Sequence, residues 1–249
     1  AHSQESAPPL CPTTNTAENL NSVDGYCSIT PEKYEVKIYE MGMCTADPIV
    51  SLVFSKDSCV PTFINSSPVS ADMANGNLVT LESQAKLDRP TPGEYSHAYM
   101  IIDPIFKLKF SYTLAGVTYY SKDTSTSYSA PRSNTKTVAP SMSFDEKVDT
   151  FNYDGGFSPI VSEYPVPGGT MSALLTDIEL KAATSSGSVV RIAGTYKPNS
   201  KVIIAEDTTG LEVQFIVTNG GGELETESND NDTVGRFGSG AFTMKFETF

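Results

Sequence analysis

Apolar and polar residues alternate with a period of two over much of the chain, the pattern of strands that bury one face. Tyr34, Val36 and Ile38 alternate with Glu35, Lys37 and Tyr39, and a second apolar run covers 49–54. Asn75-Gly76-Asn77 signals a turn into a strand at 78–81, and Arg89-Pro90-Thr91-Pro92-Gly93 a rigid turn into a strand over 95–102. The 95–102 run is apolar on both faces, which predicts a central strand. Phe106, Leu108, Phe110, Tyr112 and Leu114 alternate with Lys107, Lys109, Ser111 and Thr113, and Ala115-Gly116 then leads into 117–120. This stretch reads as a hairpin with one wet face.

Residues 121–143, rich in Ser, Thr, Lys and Pro, predict a long exposed loop, and a domain boundary could fall there. Met171, Leu174, Leu175 and Ile178 have helical spacing after Thr170. Against that, Ile178, Leu180 and Ala182 alternate with Glu179 and Lys181 ahead of a turn at 185–188, which favours a hairpin. Strands are also expected at 202–205 and 211–217 around a turn at 207–210, and at the end, where Phe242, Met244 and Phe246 alternate with Thr243, Lys245 and Glu247. Roughly ten strands at intervals of about a dozen residues, with no fixed repeat, predict an all-β antiparallel sandwich, immunoglobulin-like or jelly-roll-like.

Residues 1–30 break this grammar. They hold Pro, Thr, Ser and Asn with few large apolar side chains and no period, so they read as an arm preceding a sandwich domain over 31–249. Any order in such an arm has to come from its cysteines, from the domain or from a neighbouring molecule.

Composition adds a core and removes some partners. Twelve Phe, twelve Tyr and a hydrophobic fraction of 39% suffice for a packed interior, while sixteen Pro and eighteen Gly fall too often for long helices. Thirty acidic against seventeen basic residues give a formal charge of −13, which repels nucleic acid and anionic membranes alike. No apolar run approaches the roughly 18 residues of a transmembrane segment. The first residue is Ala1, which reads as the product of signal-peptidase cleavage and so as an exported chain.

Cys11, Cys27, Cys44 and Cys59 lie in the first quarter without CxxC spacing, so disulfides are expected rather than a metal ribbon. Sequential pairing closes loops of about 15 residues, each worth on the order of 3 kcal/mol, although four cysteines permit three connectivities.

Catalytic candidates are few. The two histidines are His2 and His97, and there is no Trp. His97 falls on a strand expected to be buried and reads as a packed residue. A copper brace from His2 and His97 is a competing reading. No GxSxG elbow surrounds any serine. Gly220-Gly221-Gly222 precede Glu223, Glu225, Glu227, Asp230 and Asp232, a set of hard oxygen ligands for calcium or, more simply, a solvated acidic loop. No carboxylate pair for glycoside hydrolysis can be singled out from spacing. Asn65-Ser66-Ser67 and Asn231-Asp232-Thr233 are glycosylation sequons, which make Asn65 and Asn231 candidates in an exported chain.

The arm, the early cysteines, the immunoglobulin-like alternation from Tyr34 onward and the strand at the carboxyl end together resemble secreted β-sandwich filament subunits of the donor-strand type, found in bacterial pili and some archaeal surface threads. The resemblance implies a non-enzymatic, cofactor-free subunit at the cell surface. Its partners are then copies of itself, with a segment of one subunit filling a groove in the next. Residues 1–10 depart from a donor pattern, since they lack alternation and Pro8 and Pro9 remove ladder donors. Two other expectations stand beside it: a secreted adhesive module for glycans or for calcium-dependent contacts, and a secreted copper oxygenase or glycoside hydrolase.

Overall fold

A computed structural model describes residues 7–12, 17–75, 86–87, 89–123, 134–152, 155–227 and 230–249. The chain is all-β: the described residues form twenty-one strand segments, all paired antiparallel, and two single-turn 3-10 helices. The predicted strand at 78–81 and the middle of the 121–143 loop lie outside the described residues, as does His2.

The largest sheet is organised by Lys33–Cys44. One edge of this strand pairs with Cys59–Asp72, and the other with His97–Ile102 and Ile105–Lys109, which follow each other along it. Beyond His97–Ile102 come Arg191–Pro198, Gly169–Thr176 and Ile160–Val166 in turn, while Phe144–Lys147 flanks Ile105–Lys109. His97–Ile102 is thus central, and all six of its residues are buried, as the two-sided apolar pattern predicted.

Facing this sheet are two smaller ones, Tyr26–Ile29 with Gly222–Glu227 and Asp230–Ser239, and Ser111–Leu114 with Val117–Ser121 and Thr135–Lys136. The hairpin Leu211–Ile216 with Thr243–Thr248 stands beside them. Between the layers lies one continuous core drawn from both sides of the 121–143 segment, including Tyr34, Val36, Ile38, Phe106, Leu108 and Leu224. Phe110 stacks on Phe237 with ring centroids 5.3 Å apart. At Phe110 the chain leaves one sheet for the other; its amide donates to the buried Ser121 Oγ, which itself donates to Met142 O at 2.7 Å. The alternation over 106–114 therefore holds across two strands, not one.

Several boundaries differ from the sequence reading. The 170–178 segment is a strand, Gly169–Thr176, and 177–190 is a loop with a 3-10 turn, because pairing on both edges outweighs the helical spacing. Val202–Ile204 and Leu211–Ile216 do not pair with each other; their partners are Gly93–Tyr95 and Thr243–Thr248. The acidic stretch expected as a loop is the hairpin of Gly222–Glu227 and Asp230–Ser239, since Leu224, Val234 and Phe237 alternate into the core between the charges.

Disulfides join Cys11 to Cys27 and Cys44 to Cys59. Cys44 and Cys59 are direct cross-strand partners, so the excursion between them, with its exposed hairpin of Ile49–Val50 and Val53–Phe54, closes on a covalent clamp. The other bridge orders the arm on its own domain. Leu10 forms a parallel bridge with Ser28, whose amide donates to Pro9 O at 2.7 Å, and Leu20 is fully buried in the core. Tyr112 Oη donates to Pro12 O at 2.7 Å, and the Ala115 amide to Ala17 O at 2.9 Å. Cysteines and domain together supply the order that composition alone could not.

Candidate functional site

A groove of about 1060 Å³ lies between the Ile160–Val166 edge and the terminal hairpin. Residues 164–168 form one wall and 243–246 the other, Ile203 and Ile216 extend it, and Ala7, Pro8 and Leu10 of the arm close one end. Both walls are sheet edges. Among the described residues, the outer edge of neither Ile160–Val166 nor Thr243–Thr248 pairs with another strand. The two edges are unequal. Ile160–Val166 is interrupted by a register shift between Val161 and Tyr164, with Glu163 at φ 51°, and Pro165 has no amide to donate. Thr243–Thr248 runs in unbroken register over six residues and carries no proline.

The groove's walls are largely apolar, and its lining contains three charged side chains: Lys201, Lys245 and Glu223. The lysines are engaged at the rim, Lys201 Nζ with Glu94 Oε2 at 2.7 Å and Lys245 with Glu247. Glu223 sits on the outward face of its sheet opposite Ser28 and Gly238, with Leu224 pointing the other way into the core. Its carboxyl is pushed up to about 7, because loss of water disfavours the anion more than the hydrogen bond from Tyr26 favours it. Glu146 and Glu225 raise it further, while Arg236 lowers it. Arg236 is shared: its Nη2 lies 2.9 Å from Glu146 Oε1, and Nη1 lies 4.0 Å from Glu225 Oε2. Tyr164 in the opposite wall is raised to about 12, by burial first and by the Glu223 charge second.

The residues named from sequence are dispersed. Of the five acids considered for calcium, Glu223 lines the groove, Glu225 faces Arg236, Glu227 ends its strand opposite Asp230, and Asp230 and Asp232 sit at the hairpin tip, where the Asp232 amide donates to Asp230 Oδ1. Among the described residues, no three His, Cys, Asp or Glu side chains converge as a metal site. His97 is buried, 2.8 Å from Ser96 Oγ through Nδ1 and 4.0 Å from Asp47 Oδ2 through Nε2, and burial lowers its pKa.

Asn65 lies in the bulge where residues 65–68 loop out opposite Tyr39, and its Oδ1 accepts from the Ser67 amide. Asn231 Nδ2, the atom a glycan would occupy, donates to Asn21 Oδ1 at 2.8 Å. In sequence Glu223 is one acid among five, and alternation with the buried Leu224 places it on one face with Glu225 and Glu227 without setting it apart from them.

No described helix is long and apolar enough to cross a membrane. Comparison of the chain with protein-family models, with curated proteins and with solved structures finds no match.

Proposed function

We propose that the chain is a structural subunit of an extracellular filament, in which an extended segment of a neighbouring subunit lies in the groove and pairs with the Thr243–Thr248 edge. The observation that carries this reading is a regular, proline-free strand edge, unpaired among the described residues, that borders an apolar groove. Edge pairing supplies backbone hydrogen bonds, and alternate side chains of the inserted segment enter the groove, so assembly buries a surface otherwise prone to uncontrolled pairing. Two disulfides fit a subunit working in an oxidising exterior. Because the described arm is used within its own subunit, the inserted segment comes from elsewhere on the neighbour.

Sedimentation and electron microscopy of the purified chain at rising concentration test this. Linear oligomers are expected, and Val166→Arg with Ile203→Arg, which fills the groove with charge, abolishes them. A chain that stays monomeric at every concentration, or oligomers unaffected by the paired substitution, contradicts the reading.

A further inference from the structure

We propose that Glu223 is the counter-ion of the groove, a subsite that takes the ammonium or guanidinium of a lysine or arginine carried by the inserted segment. This rests on the groove being a segment-binding site, and it specifies which segment the groove accepts.

Glu223 is the one carboxylate among the described lining residues. The groups that face it are Tyr26 from the neighbouring strand, Glu225 from its own, Arg236 from the next, Glu146 from Phe144–Lys147 and Tyr164 from the opposite wall. Counting charges, three carboxylates share one guanidinium, and that guanidinium is held 2.9 Å from Glu146. The local balance is negative by two when all are ionised. Lys201 and Lys245 do not correct it, since each is drawn to an acid on the rim.

A carboxylate held by a tyrosine hydroxyl within apolar walls has lost water and has only a share in the Arg236 guanidinium, which Glu146 holds, and a cation brought by a ligand makes good that loss. Specificity follows from the same balance. A segment presenting an acidic side chain here meets like charge in a poorly solvated site, and a neutral one leaves the anion uncompensated. The raised carboxyl pKa agrees with this picture: a bound cation draws the proton off Glu223, so binding and deprotonation are linked.

The probes are n-butylammonium, 1-butanol and two acetylated, amidated hexapeptides, Thr-Val-Thr-Lys-Thr-Val and the same with norleucine for lysine, in which the fourth side chain shares the valines' face. Carbon-13 NMR of glutamate-labelled protein reads the Glu223 carboxyl. We expect n-butylammonium to move its titration to lower pH, and amine affinity to fall about tenfold or more in Glu223→Gln while 1-butanol affinity is unchanged. The wild-type chain supplies a check free of mutation: amine affinity is weaker at about pH 5, where the carboxyl is protonated, than at about pH 8.

Equal amine affinity in wild type and Glu223→Gln, or no amine binding at either pH, overturns the inference. The peptides separate its failure from that of the groove reading. Peptides bound equally with lysine or norleucine retain the groove and discard the counter-ion, whereas amine binding without peptide binding retains the counter-ion and discards edge pairing.

Discussion

Asn134 stands beside Phe237 as a strand would: its Nδ2 donates to Phe237 O at 2.7 Å and its Oδ1 accepts from the Phe237 amide at 2.8 Å. Its own amide donates to Gly235 O at 3.2 Å, and Thr135 Oγ1 to Val234 O at 3.0 Å. The exposed side of Asp230–Ser239 is thereby capped where it borders the core. The contrast with Thr243–Thr248, whose outer edge has no such cap among the described residues, is the structural basis of the assembly reading.

Asn134→Ala leaves both backbone groups of a fully buried residue without partners. The expected loss is about 2–4 kcal/mol from two unsatisfied groups, read as a lower urea midpoint with an unchanged slope. A midpoint within error of wild type contradicts the capping role.

Tyr99 lies across Gly42, its cross-strand partner, to donate a 2.6 Å hydrogen bond to Glu40 Oε1, which also meets Lys56 Nζ at 2.8 Å. A Cβ at position 42 would stand 2.3 Å from the Tyr99 ring and 2.6 Å from Val60 O. Gly42→Ala is therefore expected to cost about 1–3 kcal/mol through overpacking, and Tyr99→Phe about 1–2 kcal/mol through the lost bond to a carboxylate. In combination the two should cost less than their sum, because an alanine methyl that pushes the Tyr99 ring aside already breaks the hydrogen bond that Tyr99→Phe removes; chemical denaturation of the single and double variants checks this.

Removal of Cys11–Cys27 as a paired alanine variant is expected to cost about 3 kcal/mol and to expose the arm to limited proteolysis before the sandwich unfolds. Removal of Cys44–Cys59 should cost a similar amount without freeing the arm, since that bridge clamps two paired strands. Identical cleavage patterns for the two variants would run against the cis-docked arm.

Glu223 gives a pH dependence with a definite sign. Its folded pKa of about 7 lies above the ordinary value of 4.5, so between them the folded state holds a proton that the unfolded state has lost. Its contribution to stability is present below that window and is lost as pH rises through it, by an amount on the order of 3 kcal/mol. Glu223→Gln should flatten the fall, bringing a gain over wild type at alkaline pH that shrinks toward pH 4.5, as thermal melts across the range will show.

Much of the fold was legible because burial and strand period agree. Tyr34, Val36 and Ile38, and Phe106 through Leu114, alternate in sequence as they do in the core. The two-faced burial of His97–Ile102 was readable for the same reason. What sequence could not supply was pairing: Val202–Ile204 and Leu211–Ile216 look like one hairpin locally, and only distant strands draw them apart. The docked arm was hidden too, since the buried Leu20, Cys27 and Ile29, with backbone bonds at Pro9 and Pro12, leave no periodic trace. The site fared worst. Glu223 differs from its acidic neighbours only in what the opposite wall does to its solvent, and that wall is some sixty residues away in the chain.

The most direct test is amide hydrogen exchange over Thr243–Thr248, compared between assembled material and isolated subunits. Slowed exchange at its outward amides on assembly, with Asp230–Ser239 unchanged, is the predicted result. Outward amides that exchange equally fast in both states would contradict edge pairing as the basis of assembly.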